Sequence, residues 1–358
     1  MPPLLRFAVL RLFSFIVTLF VITALLYGVI TLTPPEVRAT LFIPRGLDVG
    51  RLTEDEYNDL IEKVIKKQHL RDPFPIQYAA WVVNLARGEW GYSPVMNDDV
   101  LASLLRRTPV TVELTLYSLL LFIPLGLVSG VISAHHKGRW QDNQFRITAF
   151  IATSMPVFIL AIVLMAIFYV ILHWFPPERM SINFTGIFNS EGYRSMTGLL
   201  TVDALLNGRT DLCLDALRHL VLPVITLSLA HWATLGRVMR ALMIEEAQKE
   251  YVVAAKARGI PTKIIIWKHI FRNAVSPAIT SSGLSAASLF TGISVVEIIY
   301  NFKGISEVFI YAMTGIPDAA SAMGYAVYSV LVVLSVVLVL DILQIAFDPR
   351  LRAGEVAL

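Results

Sequence analysis

Long apolar runs dictate what this chain can become. Six pass the length needed to cross a bilayer, about 20 mostly apolar residues: roughly Phe7 to Leu32, Val110 to Ala134, Ile147 to Leu172, Leu220 to Met243, Val275 to Ile299 and Gly324 to Phe347. Hydrocarbon offers no water to bond the backbone, so each run must satisfy its own amides. The sequence therefore predicts an all-α membrane protein of six transmembrane helices. Only 16% of residues are charged, against about 25% in soluble domains. The first run follows Arg6 and Arg11, but its apolar core exceeds the roughly 7–15 residues of a signal-peptide core, so it is read as a retained span.

An even number of crossings puts both termini on one side. Arg6, Arg11, Lys137, Arg139, Arg146, Arg350 and Arg352 fall there, as do the basic residues between the fourth and fifth runs, among them Arg237, Arg240, Lys249, Lys263, Lys268 and Arg272. By the positive-inside rule that side is cytoplasmic. The expected segmentation is a first transmembrane helix (1–32), an external loop domain (33–109), a main transmembrane domain (110–347) holding a cytoplasmic loop (244–272), and a cytoplasmic tail (348–358). The net charge of +3 is too small to imply a nucleic-acid partner, and membrane lipid accounts better for the scattered basic residues. Cys213, the only cysteine, cannot form an intrachain disulfide.

The external loop predicts a small helical layer. Thr53 and Glu56 fit a capping box; Tyr57, Leu60, Ile61 and Val64 recur at helical spacing, with Asp59/Lys63 and Glu62/Lys66 as i,i+4 pairs.

No catalytic or metal motif is present: no G-x-x-x-x-G-K-[ST], no H-E-x-x-H, no G-x-S-x-G. The adjacent His135 and His136 would point about 100° apart on a helix and share no metal face. Glu113 and Glu297 fall near the outer boundary and Asp341 near the cytoplasmic one. Interfacial or interhelical hydrogen bonding suits them, and the lack of a midplane acid disfavours an ion-driven transporter. Gly126 and Gly130 form G-x-x-x-G, and the fifth run carries Ser281, Ser282, Gly283, Ser285, Ser288 and Gly292. Such residues permit close helix packing, and the serines at 281, 282, 285 and 288 could equally line a translocation path.

The polar interruption is the most distinctive stretch. Glu245 to Arg258 interleaves charges with Ala254, Ala255 and Ala257, residues of high helix propensity and little bulk. Gly259 suits a left-handed helix end and Pro261 the first position of the next helix. Helix, sharp turn, helix is predicted, the second bearing Ile260, Ile264, Trp267 and Phe271 on a face suited to the membrane interface. The small alanines would fit a groove on a partner.

Here a resemblance appears. Ala254-Ala255-x-x-x-Gly259 resembles the cytoplasmic EAA loop of ABC importer permeases, and Glu250-Tyr251-Val252, Lys256-Ala257-Arg258-Gly259, His269, Arg272-Asn273-Ala274 and Pro277 resemble the dipeptide/oligopeptide/nickel permease family in particular. Val253 stands where the generic motif has its acid. The same family is matched by Asp72-Pro73-Phe74-Pro75, Gln77-Tyr78, Trp81, Arg87-Gly88, Gly91-Tyr92-Ser93, Thr111-Val112-Glu113-Leu114, His219-Leu220-Val221-Leu222-Pro223, Val296-Glu297 with Gly304, and Asp348-Pro349-Arg350. The segment from Phe175 to Arg218 is the least familiar.

The resemblance implies a type I ABC importer permease fold in a prokaryotic inner (plasma) membrane, and a permease without an ATPase motif of its own. Its partners would be a second homologous permease, two ATP-binding subunits that use the ATP, and an external substrate-binding protein; no cofactor is bound directly. ATPase coupling would fall to Glu250, Tyr251, Ala254, Ala255, Lys256, Arg258 and Gly259. Di- or oligopeptides are the expected cargo, nickel complexes or oligosaccharides the alternative, and a passive channel or membrane scaffold the remote one.

Overall fold

The computed structural model describes residues 3–39, 42, 53–188, 190, 192–314 and 318–347, with the side chains of 3–8, 280–287, 340–341 and 343–347 outside that description. Among the described residues the chain is almost wholly helical. In order, the elements are α1 (Pro3–Ile30), α2 (Pro35–Ala39), α3 (Glu54–Lys67), α4 (Phe74–Ala86), a two-stranded antiparallel pair β1 (Tyr92–Ser93) and β2 (Asp98–Asp99), α5 (Val100–His135), α6 (Trp140–Ser154) and α7 (Val157–Met165) continuing as a π-helix over Ala166–Ile171. Then come α8 (Ile182–Phe188), α9 (Leu200–Leu206), α10 (Thr210–Glu246), α11 (Glu250–Ala257), α12 (Thr262–Ile264) with a π-helix over Ile265–Ile270, α13 (Phe271–Ile299), α14 (Ser306–Met313) and α15 (Ala319–Phe347).

Every expected apolar run lies on helix. Among the described residues four helices are long and apolar enough to cross a membrane, Val9–Ile30, Val100–His135, Thr210–Glu246 and Ala319–Val339, and a fifth crossing is made if α6 and α7 form one span. The expected single span over 147–172 is in fact broken, with a bend of 102°. Pro156 explains it: the ring pushes Met155 out of the helical region, to φ −90° and ψ 124°, and supplies no N–H to bridge the break. The run over 275–299 lies on α13, a helix of 29 residues.

The chain forms two compact units. One comprises Met1–Val9, Pro109–Gly304 and Ser335–Leu358. Its centre is α10, 61% of whose apolar window is buried, packed against α6, α7, α9 and α13. Phe122, Leu227, Leu235, Met239, Leu289 and Ile293 form the middle of its core. The G-x-x-x-G of α5 meets α10 at close range: a Cβ on Gly130 would come within 2.6 Å of the Gly236 carbonyl oxygen, and one on Gly126 within 3.0 Å of Leu235. Only a small residue lets those two backbones approach.

The other unit comprises Leu10–Thr108 and Ile305–Leu334. The Thr53 capping box forms as expected, with Glu56 N–H on the Thr53 hydroxyl and Thr53 N–H on the Glu56 carboxylate, and Asp59 pairs with Lys63. The expected Glu62/Lys66 pair gives way to a longer-range one, because Arg71 reaches Glu62 at 2.7 Å and Glu36 at 2.9 Å. The motif residues before the second run turn inward. Gln77 accepts from buried Arg38 at 2.6 Å, Tyr78 and Trp81 stack around Tyr27, Gly88 and Gly91 take φ of +85° and +94°, and the Ser93 hydroxyl bonds Asp318.

Candidate functional site

The polar loop joins the last turn of α10 to the start of α13. Lys249 caps α11 in an extended conformation, and eight residues follow before Arg258. Gly259 then takes φ +71°, the left-handed geometry that glycine enters without penalty. Pro261 sits one residue earlier than expected, as the cap of α12 rather than its first residue. Beyond it, the expected separate interfacial helix is the opening of a continuous helical path through the π segment into α13. Its exposed face still carries Ile264 and Trp267, with the Trp267 and Phe271 rings 5.4 Å apart.

The short helix α11 has two dissimilar faces. Val252 and Ala255 are buried in the same core cluster as Met243, Ile265 and Ile270, whereas Glu250, Val253, Ala254 and Ala257 are exposed and share a face at i, i+3, i+4 and i+7. Val253 is 61% exposed, an apolar side chain in the middle of that surface. The expected coupling residues therefore divide. Ala254 looks outward, Ala255 fills space against the chain's own core, Tyr251 is half-buried, and Lys256, Arg258 and Gly259 are exposed. A Cβ on Gly259 would meet nothing within 4 Å, so only its backbone angle constrains it from within.

A polar clamp not foreseen from the sequence fixes this helix to α10. The Tyr251 hydroxyl donates to the Glu246 carboxylate at 2.8 Å, and Lys249 bonds the same carboxylate. That contact holds the Lys249 ammonium above the ordinary lysine range. Burial pushes the Tyr251 phenol up, opposed by a hydrogen bond with Asn273 at the start of α13. The one sequence signal for the clamp was the Glu246/Lys249 spacing of three. Nearby, Asp142 is buried and takes both guanidinium contacts of Arg240, at 2.6 and 2.8 Å, with the Ser133 hydroxyl at 2.6 Å and the Gly138 N–H at 2.9 Å. The turn after α5 is thereby tied to α10.

At the opposite end of the same unit, the boundary carboxylates act as interhelical acceptors. Glu113 receives Thr201 N–H and hydroxyl at 2.8 and 2.7 Å and Arg179 at 2.9 Å. Glu297 accepts from the Thr111 hydroxyl and lies against Gly304, where a Cβ would stand 2.0 Å from its Oε1. His219 is buried, its Nδ1 3.0 Å from the Pro177 carbonyl, while Ser181 donates to Asp215 at 2.6 Å. The unfamiliar 175–218 segment is thus strapped down by the motif residues on α5 and α10. Of the four serines proposed to line a path, Ser288 is exposed; the side chains of Ser281, Ser282 and Ser285 lie outside the described residues, as does that of Asp341.

Residues 123–353 match the family model described as "Binding-protein-dependent transport system inner membrane component". The chain is 31% identical over 350 residues to the di/tripeptide transport system permease protein DppB of Pseudomonas aeruginosa, covering 98% of this chain and 99% of that one. It is also 31% identical over 298 residues to the oligopeptide transport system permease protein AppB of Bacillus subtilis, covering 81% of this chain and 84% of that one. A probable D,D-dipeptide transport system permease protein of Escherichia coli shares 31% identity over 304 residues, 85% and 88% of the two chains.

Proposed function

This chain belongs to the family of binding-protein-dependent transport system inner membrane components, a multi-pass membrane permease, and we propose that it serves an ATP-driven importer whose cargo is di- or oligopeptides. The names of the similar permeases support peptides over nickel complexes or oligosaccharides. The observation that carries the coupling mechanism is the two-faced helix α11, its small-residue surface free and its other side locked into the core.

The exposed face of Glu250, Val253, Ala254 and Ala257 docks in a groove on an ATP-binding subunit, with Arg258 at its end. A flat face allows close approach, and charges at the margins set register. Because Val252, Ala255 and the Tyr251–Glu246 clamp bind α11 to α10 and α13, a displacement of the docked helix is passed to both long helices rather than absorbed in a loose loop. ATP binding favours one arrangement of the paired ATP-binding subunits, and its differential affinity biases the permease between inward- and outward-open states. In this reading both termini and the α11 loop face the cytoplasm, the 175–218 segment faces outward toward a substrate-binding protein, and a second homologous permease completes the channel.

Mild-detergent purification of the tagged chain from its native membrane tests the assignment. Two further classes of chain should copurify, ATP-binding subunits and a second permease. A chain that comes alone, with no nucleotide hydrolysis in the preparation, would point to a channel or scaffold instead.

A further inference from the structure

Beside α11 lies a cavity of about 280 Å³ that the coupling account does not use. Its floor is apolar, formed by Met243, Ile266 and Ile270, and its rim carries Lys137, Lys256 and His135. Among the described residues no carboxylate lines it. Of the neighbouring acids, Glu246 is engaged by Lys249 and Tyr251 and Asp142 by Arg240, while Glu245 and Glu250 are exposed outside its lining. Among the described residues, the Lys137 and Lys256 ammonium groups have no ion-pair partner. The cavity also sits where the apolar helices end, since Ala134 and Met243, the last residues of two of the expected spans, both line it.

We propose that this cavity binds an anionic phospholipid, the phosphate between Lys137 and Lys256 and the upper acyl chain on the Met243, Ile266 and Ile270 floor. An unpaired cationic rim over an apolar floor at the end of the spans is complementary to an amphiphile of opposite charge, and basic pockets between transmembrane helices are suited to acidic headgroups. A soluble anion would leave the floor wet, and a neutral lipid would leave both ammonium groups uncompensated. Since Lys137 follows α5 and Lys256 belongs to α11, one bound lipid would bridge the turn after α5 to the coupling helix. The membrane's acidic lipid content would then tune how firmly α11 is seated. The site stands whatever the transported cargo is.

Native mass spectrometry of the full-length chain in mild detergent tests this, with phosphatidylglycerol and phosphatidylcholine offered separately to wild type, to Lys137→Gln/Lys256→Gln and to the control Lys263→Gln. Wild type and control should retain phosphatidylglycerol roughly tenfold or more in preference to phosphatidylcholine at low salt, and the double variant should lose that preference. Equal retention of the two lipids by wild type, or an undiminished preference in the double variant, overturns the proposal. Loss of copurifying ATP-binding subunits from the double variant without any lipid preference in wild type would assign the rim to a partner's carboxylate and equally overturn it. Neither result depends on transport, so the permease assignment is tested separately.

Discussion

At the scale of single residues, two glycines make opposite predictions from the same substitution. A Cβ on Gly304 would sit 2.0 Å from the buried Glu297 carboxylate, while one on Gly186 in α8 would meet nothing within 4 Å. Gly304→Ala should therefore lower thermal stability by about 1–3 kcal/mol, and Gly186→Ala should leave it unchanged or raise it by up to about 1 kcal/mol; melting of the purified chain in one detergent would tell them apart. Ion pairs divide likewise. Asp142→Ala strands the Arg240 guanidinium and should cost about 3–5 kcal/mol, whereas Asp211→Ala removes an exposed, solvent-screened partner of Arg209 and should leave stability nearly unchanged. Comparable losses at both positions would contradict the burial argument. The sequence suggested interhelical hydrogen bonding for Glu113 and Glu297, and both carboxylates accept such bonds. It could not identify their partners, because Thr201 and Thr111 lie 88 and 186 residues away along the chain. Glu62 shows the limit most plainly: spacing proposed Lys66, and a guanidinium from beyond the helix won.

At the scale of elements, local rules read well and long windows less so. The Thr53 capping box and the Gly259 turn were legible because the necessary atoms lie within a few residues of each other. The span over 147–172 was misread as unbroken because hydropathy averaging is blind to a missing N–H, although Pro156 was in plain view. The two faces of α11 were hidden for a different reason: alanine at 254 and 255 is equally suited to core or surface, and only tertiary packing decides. The strapped segment around α9 carries its own prediction. Burial alone would raise the Asp203 carboxyl, but hydrogen bonds from Thr197, Ser195 and Gly198 outweigh it and hold the pKa below the usual aspartate range. A depressed folded-state pKa contributes stability above the unfolded value of about 3.9 and loses it as pH falls further. Amide exchange over 195–207, taken relative to the intrinsic rate at each pH, should therefore become faster below about pH 4. In Asp203→Asn it should be faster at neutral pH and lack that acid step; an unaltered acid step in the variant would show that other groups govern it.

For the whole molecule, the account makes α11 a rigid lever rather than a tether. Its inner face and clamp are packed and bonded within the chain, and its exposed outer face is the one proposed to dock on an ATP-binding subunit. This predicts that loosening the clamp impairs coupling without abolishing docking. Tyr251→Phe removes the hydroxyl bonded to Glu246 and should leave the ATP-binding subunits copurifying while reducing peptide uptake per ATP hydrolysed several-fold. Loss of copurification would place Tyr251 on the docking surface instead. The family was legible because its motif residues lie in short contiguous stretches, whereas a path through the spans is written in side chains from several helices at once.

The most direct measurement of the central claim is ATP-dependent peptide uptake in vesicles holding the complete transporter, wild type against Gly259→Asp. Gly259 has φ +71° and open space around it, and aspartate tolerates left-handed geometry better than most residues, so the chain itself should fold and reach the membrane. The account predicts normal membrane levels with uptake reduced at least about tenfold, a loss of coupling of 1.4 kcal/mol or more at about 25 °C. Uptake equal to wild type at equal membrane levels would contradict the assignment of this loop to ATPase coupling.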